Sequence, residues 1–223
     1  MDEIVETVDK WTFMESLPKT WAGFTLGVEK NQLGEQYNIF SYSNNEKRRS
    51  LSLLYDNLTK DYLVRIKVGM TEYYDINYIV GNLEALEETL KTRLEDTLNE
   101  LGGKQHYESI FREKQILEWP YIAKLPAKAV GFELFISPSQ AVKMINGSYI
   151  VLDYSDFSAA SNLIIYYNVF RDEFFGELRP KMTPMMTVLF DARQLDDLAN
   201  KLENNLVPEL ESLRRMISAD SEE

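Results

Sequence analysis

Cysteine is absent from this chain of 223 residues, and histidine occurs only once. The absence of cysteine excludes disulfides, thiolate metal sites and a cysteine nucleophile. A Ser-His-Asp triad or a histidine-rich metal site would have to include His106, which follows Gly102-Gly103 in a polar stretch. We interpret His106 as a solvated linker residue, and we predict no catalytic residue, no metal and no cofactor.

Phosphate-binding and calcium-binding motifs are also missing. The chain contains neither GxxxxGK[ST] nor GxGxxG, and no spacing of acidic residues matches an EF-hand. Carboxylates are plentiful, with 36 Asp and Glu residues, so a pair acting as general acid and base stays open. Nothing in the sequence separates any of them from ordinary surface charge. The sequence therefore leaves enzymatic activity undecided and favours a protein without it.

Basic charge is scarce, since 24 Lys and Arg residues give a net charge of -12. An acidic surface repels phosphate backbones, which disfavours nucleic-acid binding. It would favour a basic protein partner, although a solvated acidic surface with no dedicated site is the simpler interpretation. No apolar run reaches the length of a membrane-spanning helix, and the first ten residues, MDEIVETVDK, lack the apolar segment of a secretion signal. We therefore expect a cytoplasmic protein that makes no membrane contact.

The chain does contain an internal duplication. Trp11–Leu26 (WTFMESLPKTWAGFTL) and Trp119–Leu134 (WPYIAKLPAKAVGFEL) share six identical residues at an offset of 108. Further along, an offset of 112 aligns Tyr42 with Tyr154, and a slip to 111 aligns 57–61 (NLTKD) with 168–172 (NVFRD). A repeat of about 110 residues has the size of a domain, which is far longer than the units of solenoid proteins. The pattern indicates duplication of a whole structural unit.

Each repeat is predicted to consist of strands followed by a helix. Alternating or β-branched segments predict strands at 21–28, 36–43, 51–55, 61–68 and 73–80. Counterparts of the first, second, third and fifth are predicted at 129–136, 148–154, 162–167 and 185–190. A leucine stripe predicts amphipathic helices over 83–101 and from Arg193 onward. We predict an α+β fold: a tandem duplication of a unit with about five mostly antiparallel strands and a long amphipathic helix, packed as a pseudo-twofold pair. The predicted domains are 1–104 and 105–216, with a disordered acidic tail at 217–223.

The ends of the two helices carry recognisable signals. Asn82 suits the N-cap of the first helix, and Asp191 with Gln194 fits a capping box for the second. Gly102-Gly103 is expected to end the first helix. Pro208 has no counterpart in the first helix, and an interior proline removes a backbone hydrogen bond, so we expect a kink or a break there.

A methionine-rich stretch with aromatic neighbours is the candidate for partner binding. Methionine adapts to irregular apolar surfaces, and Met-rich patches can bind varied partners. The alternative, which the composition favours, is that these side chains fill the core between sheet and helix. The candidate residues are Tyr73, Tyr74, Phe174, Phe175, Met182, Met185 and Met186.

Two cations in the aligned blocks 57–61 and 168–172 are a second candidate. Lys60 and Arg171 stand in register at the offset of 111, so they could form a duplicated clamp for an anionic group. The alternative interpretation, which we favour, is a hairpin turn whose Asn and Asp side chains satisfy local backbone groups.

Three functional hypotheses follow. The first is a non-catalytic intracellular binding, adaptor or chaperone-like protein. The second is a small-molecule-binding domain or enzyme with its pocket at the junction of the two repeats. The third, a single-stranded nucleic-acid-binding protein, rests on fold analogy alone and is opposed by the charge. We expect a monomer or weak dimer, because a fused repeat already supplies the interface that homodimers build.

Overall fold

The computed structural model describes residues 2–219, which form two compact units that divide between Gln105 and His106. Unit 1 precedes this division and unit 2 follows it. Each unit contains a seven-stranded antiparallel sheet followed by a long helix. The predicted tandem α+β duplication is confirmed.

Unit 1 opens with helix α1 (Asp2–Asp9) and a short 3-10 helix (Thr12–Ser16), and it closes with helix α2 (Leu83–Leu101). Its strand order is β1-β2-β4-β5-β6-β7, and β3 also pairs with β4. The strands are β1 (Thr20–Trp21), β2 (Phe24–Gly27), β3 (Asn31–Leu33), β4 (Gln36–Asn44), β5 (Arg49–Asp56), β6 (Asp61–Val68) and β7 (Thr71–Val80).

Unit 2 repeats this plan, with helix α3 (Ser109–Glu113) and a 3-10 helix (Pro120–Lys124) before the sheet and helix α4 (Leu195–Ala219) after it. The strand order is β14-β13-β12-β11-β9-β8, and β10 also pairs with β11. The strands are β8 (Lys128–Ala129), β9 (Phe132–Ile136), β10 (Val142–Lys143), β11 (Ser148–Asp156), β12 (Ser161–Asn168), β13 (Glu173–Arg179) and β14 (Met185–Ala192).

The first predicted strand of each repeat is a tight hairpin rather than one strand. Ala22 and Gly23 separate β1 from β2 with φ values of 48° and 86°. In unit 2, Val130 and Gly131 separate β8 from β9 with φ values of 53° and 83°. A two-residue hairpin with positive φ at both central positions matches the right-handed twist of its strands, and glycine is the residue that enters this region most easily. This requirement explains the identity of Gly23 and Gly131.

The structural register between the units is 112 from the fourth strand onward. Strands β4, β5 and β6 begin at residues 36, 49 and 61, and β11, β12 and β13 begin at 148, 161 and 173. The slip to 111 at residues 57–61 is therefore wrong. Asp56 and Asn168 are the equivalent residues, because each uses a side-chain oxygen to accept two backbone N–H groups of the following turn at 2.9–3.2 Å. The offset of 111 aligned Asn57 with Asn168 because the residues are identical. The structurally equivalent residues are an acid, Asp56, and an amide, Asn168, which accept the same backbone hydrogen bonds.

A buried tyrosine connects the sheet to the Leu-Pro entry in both units. The Tyr42 hydroxyl donates to the carbonyl of Pro18 at 2.7 Å, and the Tyr154 hydroxyl donates to the carbonyl of Pro126 at 2.7 Å. Both rings are fully buried. The repeated Leu-Pro and the repeated tyrosine therefore belong to one structural device.

Both helices bury their leucine stripes against the sheet. Asn82 caps α2 as predicted, because its Oδ1 accepts from the Ala85 backbone N–H at 2.8 Å. The predicted capping box of α4 is wrong: Asp191 lies in β14, where its carbonyl accepts from Lys201 Nζ. The buried leucines are Leu86, Leu90, Leu94, Leu98 and Leu101 in α2 and Leu198, Leu202, Leu206, Leu210 and Leu213 in α4.

A kink or a break is predicted at Pro208; helix α4 runs without interruption through this residue, so the break is wrong and the kink stays a prediction. Pro208 lies on the exposed side of the helix, while the leucines before and after it are buried. Packing of that stripe holds the helix together where one backbone hydrogen bond is missing. The helix also extends to Ala219, past residue 217, where we expected the disordered tail to begin. The rest of that predicted tail, 220–223, lies outside the described residues.

Candidate partner-binding surface

The predicted methionines lie on the outer strand of unit 2. Met185 and Met186 are the first residues of β14, and Met182 ends the short 3-10 turn that precedes it. Their side chains are 42%, 67% and 42% exposed for Met185, Met186 and Met182 respectively. They are surface residues rather than core residues, so the interpretation that they fill the core does not hold for them.

Strand β14 is the open edge of its sheet. Among the described residues it pairs with β13 alone, through Leu178 opposite Met185 and Gly176 opposite Thr187. Its outer row of backbone N–H and C=O groups therefore faces no other strand of the described chain. An open edge of this kind is a template for pairing with another extended segment.

A wide bulge extends the apolar surface along the same edge. After Gly176 opposite Thr187, the next pair is Phe174 opposite Ala192. Four residues of β14, 188–191, therefore lie opposite a single residue of β13, Phe175. Val188 is 76% exposed and Leu189 is 39% exposed. Phe190 turns inward and is fully buried. A Cβ atom on Gly176 would lie only 2.8 Å from Cδ2 of the Phe190 ring. The absence of a side chain at Gly176 therefore allows this ring to enter the core.

We call Met182, Met185, Met186, Val188 and Leu189 the apolar edge. The stretch of nine residues that contains them, MTPMMTVLF, carries no charged side chain. Exposed edges are usually protected by charges, by proline or by bulges. This edge has a proline at its start and a bulge, and the charge on β14 is Asp191, which directly follows Phe190.

The outer strand of unit 1 has the same bulge in a different chemical setting. On β7, Val64 pairs with Asp75 and Tyr62 pairs with Val80, so 76–79 bulge in the same way. Ile76, the equivalent of Val188, is 65% exposed. Strand β7 also carries the acidic residues Glu72 and Asp75. Unit 1 therefore carries two acidic residues on its outer strand ahead of the bulge, whereas the one acidic residue of β14, Asp191, stands at the end of the bulge.

The predicted aromatic residues do not join the apolar edge. Tyr73 and Tyr74 are half-buried on β7 of unit 1, and the Tyr74 hydroxyl accepts from Gln36 Nε2 at 3.0 Å. Burial raises the pKa of the Tyr73 hydroxyl. Phe174 is fully buried and belongs to the core of unit 2. Phe175 is half-buried and stacks on Tyr166 with 5.0 Å between ring centroids.

The two predicted anion-binding cations occupy different positions in their turns. Lys60 Nζ donates to Asn57 Oδ1 at 2.8 Å, and Arg171 Nη1 donates to Glu173 Oε1 at 3.0 Å. In the structural register the equivalent of Lys60 is Asp172; both residues have positive φ, 64° and 51°. The register match on which the duplicated clamp was based is therefore absent.

A buried polar cluster on β11, β12 and β13 was not predicted. Asp153 is fully buried, and it accepts from Ser155 Oγ at 2.7 Å and from Asn162 Nδ2 at 3.2 Å. Burial raises the pKa of Asp153 to about 6, while these hydrogen bonds and the charge of Arg179 act in the opposite direction. An acid inside the apolar segment SYIVLDYSD is the sequence signal that could have identified it. Because this carboxyl group is buried, its protonation state affects the stability of the fold, and we assign it no role in ligand binding.

No group of three or more His, Cys, Asp or Glu side chains within residues 2–219 is arranged to hold a metal ion. None of the helices in the described part of the chain combines the length and the apolar composition needed to cross a membrane.

No protein-family model, curated protein or solved structure matches the chain.

Proposed function

We propose that this protein is a non-catalytic binding protein whose apolar edge receives an extended segment of a partner protein. The observation that supports this most strongly is an open edge strand with four exposed apolar side chains, extended by Met182 of the preceding turn, and no charge between Met182 and Phe190. Strand addition supplies main-chain hydrogen bonds for affinity, and alternate side chains supply specificity. The expected partner segment is therefore extended and apolar.

The contrast with unit 1 supports a functional origin for the missing charges. Both outer strands share the bulge and an exposed aliphatic residue at its start, Ile76 or Val188. Unit 1 keeps Glu72 and Asp75 on its outer strand, as a protein does when it avoids edge-to-edge association. An uncharged apolar edge is an aggregation hazard unless a partner covers it.

The test combines site-specific crosslinking with charge substitution. A photoreactive amino acid at Val188 should crosslink a partner in cells, whereas the same probe at Ile76 should not crosslink that partner. The partner is then purified, and its affinity is measured for wild type, Met186→Lys, Val188→Lys and the matched control Ile76→Lys. Burying an unpaired ammonium group costs several kcal/mol, so the two substitutions in unit 2 should weaken binding by about tenfold or more.

The control also identifies failure. The proposal is overturned if the purified partner binds Val188→Lys and Met186→Lys as tightly as wild type, or if Ile76→Lys weakens binding equally. Met186, Val188 and Ile76 are all exposed, so none of the three lysine substitutions is expected to change the free energy of unfolding by more than about 0.5 kcal/mol. Urea denaturation of each variant separates loss of binding from loss of folding.

A further inference from the structure

The apolar edge has no charge that would oppose pairing with a second copy of itself. In a twofold pair of antiparallel strands the same segment of both copies faces itself, so charges of one sign repel across the contact. Two copies of β7 in unit 1 would bring Glu72 and Asp75 close to their own counterparts. On β14, no residue from Met185 to Phe190 is charged. Repulsion therefore opposes self-pairing at the edge of unit 1, and residues 185–190 offer no such repulsion.

The regular part of the edge is short and is centred on Met186. Met185, Met186 and Thr187 pair in unbroken register with β13, and the bulge begins after Thr187. The Met186 side chain is 67% exposed, and an unbranched thioether adapts readily to an identical neighbour. A twofold axis beside Met186 therefore lets both copies use the same regular segment.

The charges that flank the uncharged stretch are complementary to each other. Lys181 directly precedes Met182, Asp191 directly follows Phe190, and both charged residues are exposed. Each of them stands five residues from Met186, on opposite sides. An antiparallel twofold pair about Met186 thus directs Lys181 of one copy toward Asp191 of the other. The symmetry produces this contact twice in each dimer.

The neighbouring cations leave the Asp191 carboxylate available. Lys201 Nζ donates to the backbone carbonyl of Asp191, and its charge is paired with a carboxylate of its own helix at 3.2 Å. Arg193 is the next cation along the chain. It acts on Asp172, whose pKa is lowered mainly by a hydrogen bond from Lys114 and further by the charge of Arg193. Within residues 2–219, no cation lies within ion-pair distance of the Asp191 carboxylate.

We propose that a second copy of this chain covers the apolar edge when no other partner is bound, by antiparallel pairing of two β14 strands about a twofold axis beside Met186. This inference rests on the proposed function, because self-pairing and partner binding use the same outer row of β14. The dimer is the closed form of the protein, and the monomer is the form that accepts a partner segment. The contact is short and each copy has a net charge of -12, so the dimer is weak, with a Kd on the order of 10–100 µM.

The absence of cysteine from the chain allows a direct test of the axis. Met186→Cys introduces one thiol per copy, and a twofold axis beside this residue brings two thiols within disulfide distance, about 4 Å between Cβ atoms. Ile76→Cys is the matched control, because Ile76 is 65% exposed and Met186 is 67% exposed. Under mild oxidation, Met186→Cys should form a linked dimer at least about tenfold faster than the control, since pairing raises the effective thiol concentration.

Charge exchange tests the orientation of the two strands. Lys181→Asp and Asp191→Lys should each weaken the dimer by about three- to tenfold in sedimentation velocity, because each creates two like-charge contacts. An equal mixture of the two variants should associate about as strongly as wild type, since every contact then joins opposite charges. Aspartate tolerates the positive φ of residue 181, which is 46°, and circular dichroism verifies that both variants fold.

Three outcomes would contradict the self-pairing. They are equal crosslinking rates for Met186→Cys and Ile76→Cys, a mixture that associates no better than either charge variant alone, and a wild-type chain that stays monomeric at about 1 mM. The proposed function fails separately. A partner captured from cells at Val188 stands even if no dimer forms, whereas a dimer without any captured partner would leave self-pairing as the use of this edge.

Discussion

Single hydroxyl groups in the core of each unit hold the sheet to the preceding turn. Tyr42 and Tyr154 donate to the carbonyls of Pro18 and Pro126 at the same distance, 2.7 Å. A proline carbonyl after an extended entry has no ladder partner, so the tyrosine satisfies an acceptor that secondary structure leaves unpaired. The two bonds explain why these residue types recur although the loops between them differ in length.

Tyr42→Phe and Tyr154→Phe should each lower the free energy of unfolding by about 1–2 kcal/mol, because each leaves a partly buried carbonyl without its donor. The measurement is urea denaturation followed by circular dichroism. Tyr55→Phe is the matched control, since the Tyr55 ring is buried while its hydroxyl has no hydrogen-bond partner within residues 3–219. Equal losses in all three variants would contradict the role assigned to the two carbonyl bonds.

The buried acid Asp153 predicts an unusual pH dependence. Its pKa is raised from 3.8 to about 6 in the folded state, mainly by burial, so between these values the folded state binds more protons than the unfolded state. The free energy of unfolding should therefore fall as pH rises from about 4 to about 6, by up to about 3 kcal/mol. Asp153→Asn should remove this decline, which urea denaturation at several pH values would reveal.

Other carboxylates act in a different pH window and provide the control. Asp156 pairs with Arg214 at 2.7 Å, and its hydrogen bonds and this charge lower its pKa. Because its folded pKa is lowered, Asp156 contributes to the free energy of unfolding above its unfolded pKa. This contribution is lost as the pH falls through the folded pKa. The difference between wild type and Asp153→Asn across pH 4 to 6, roughly, isolates Asp153. A difference that does not change with pH would contradict the raised pKa.

At the scale of single elements, the sequence predicted both long helices and most of the long strands, because periodicity reports burial directly. It did not predict β13 or the short strands β3 and β10. It missed the entry hairpins, since Trp21–Val28 reads as one apolar run and only the identity of Gly23 and Gly131 indicated left-handed positions. It also grouped Phe174 with the surface candidates. Period-two alternation places Phe174 on the core face of β13 and Phe175 on the opposite face. Which residues a bulge exposes, such as Val188, depends on strand pairing that periodicity does not record.

Helix α4 offers a direct test of how packing compensates for a proline. Pro208→Ala restores a backbone donor and removes the ring from an exposed helix position, so we expect the free energy of unfolding to rise by about 1–3 kcal/mol. Val207→Ala, an exposed neighbour, is the control and should change little. Thermal unfolding of the three proteins would show the gain. A loss of stability in Pro208→Ala would mean that the geometry imposed by the proline is required for the leucine stripe to pack.

The entry hairpins predict a second difference between equivalent elements. Gly23→Ala and Gly131→Ala both force a side chain into positive φ, which costs about 1 kcal/mol. A Cβ on Gly131 would also lie 2.7 Å from Arg214 Nη2 and would displace the guanidinium that pairs with Asp156. We therefore expect Gly131→Ala to be the more destabilising substitution in urea denaturation. Equal effects would show that Arg214 moves aside without losing its ion pair.

At the scale of the whole molecule, the two units keep one core plan and differ in their surfaces. The bulges, the entry hairpins and the hydrogen bonds from tyrosine to the proline carbonyl recur at equivalent positions. Each depends on burial or backbone geometry that the folded sheet requires. The apolar edge of unit 2 has no such constraint, and the outer strands are a place where the units diverge. The apolar edge is therefore recognisable as a candidate site because the equivalent strand of unit 1 carries charge in its place.

The net charge of -12 and the uncharged apolar edge make opposite predictions about salt. If a partner binds through the apolar edge, its affinity should change by less than about threefold between roughly 0.05 M and 0.5 M NaCl, since no charge of either sign lies between Met182 and Phe190. If the acidic surface is what binds, a basic partner should dissociate steeply over that range. Isothermal titration calorimetry with the purified partner, once crosslinking at Val188 has identified it, distinguishes these outcomes at the two ionic strengths. The same experiment yields the heat-capacity change, which should be negative if apolar surface is buried on β14. A heat-capacity change near zero together with a steep salt dependence would mean that the partner binds the acidic surface and not the edge strand.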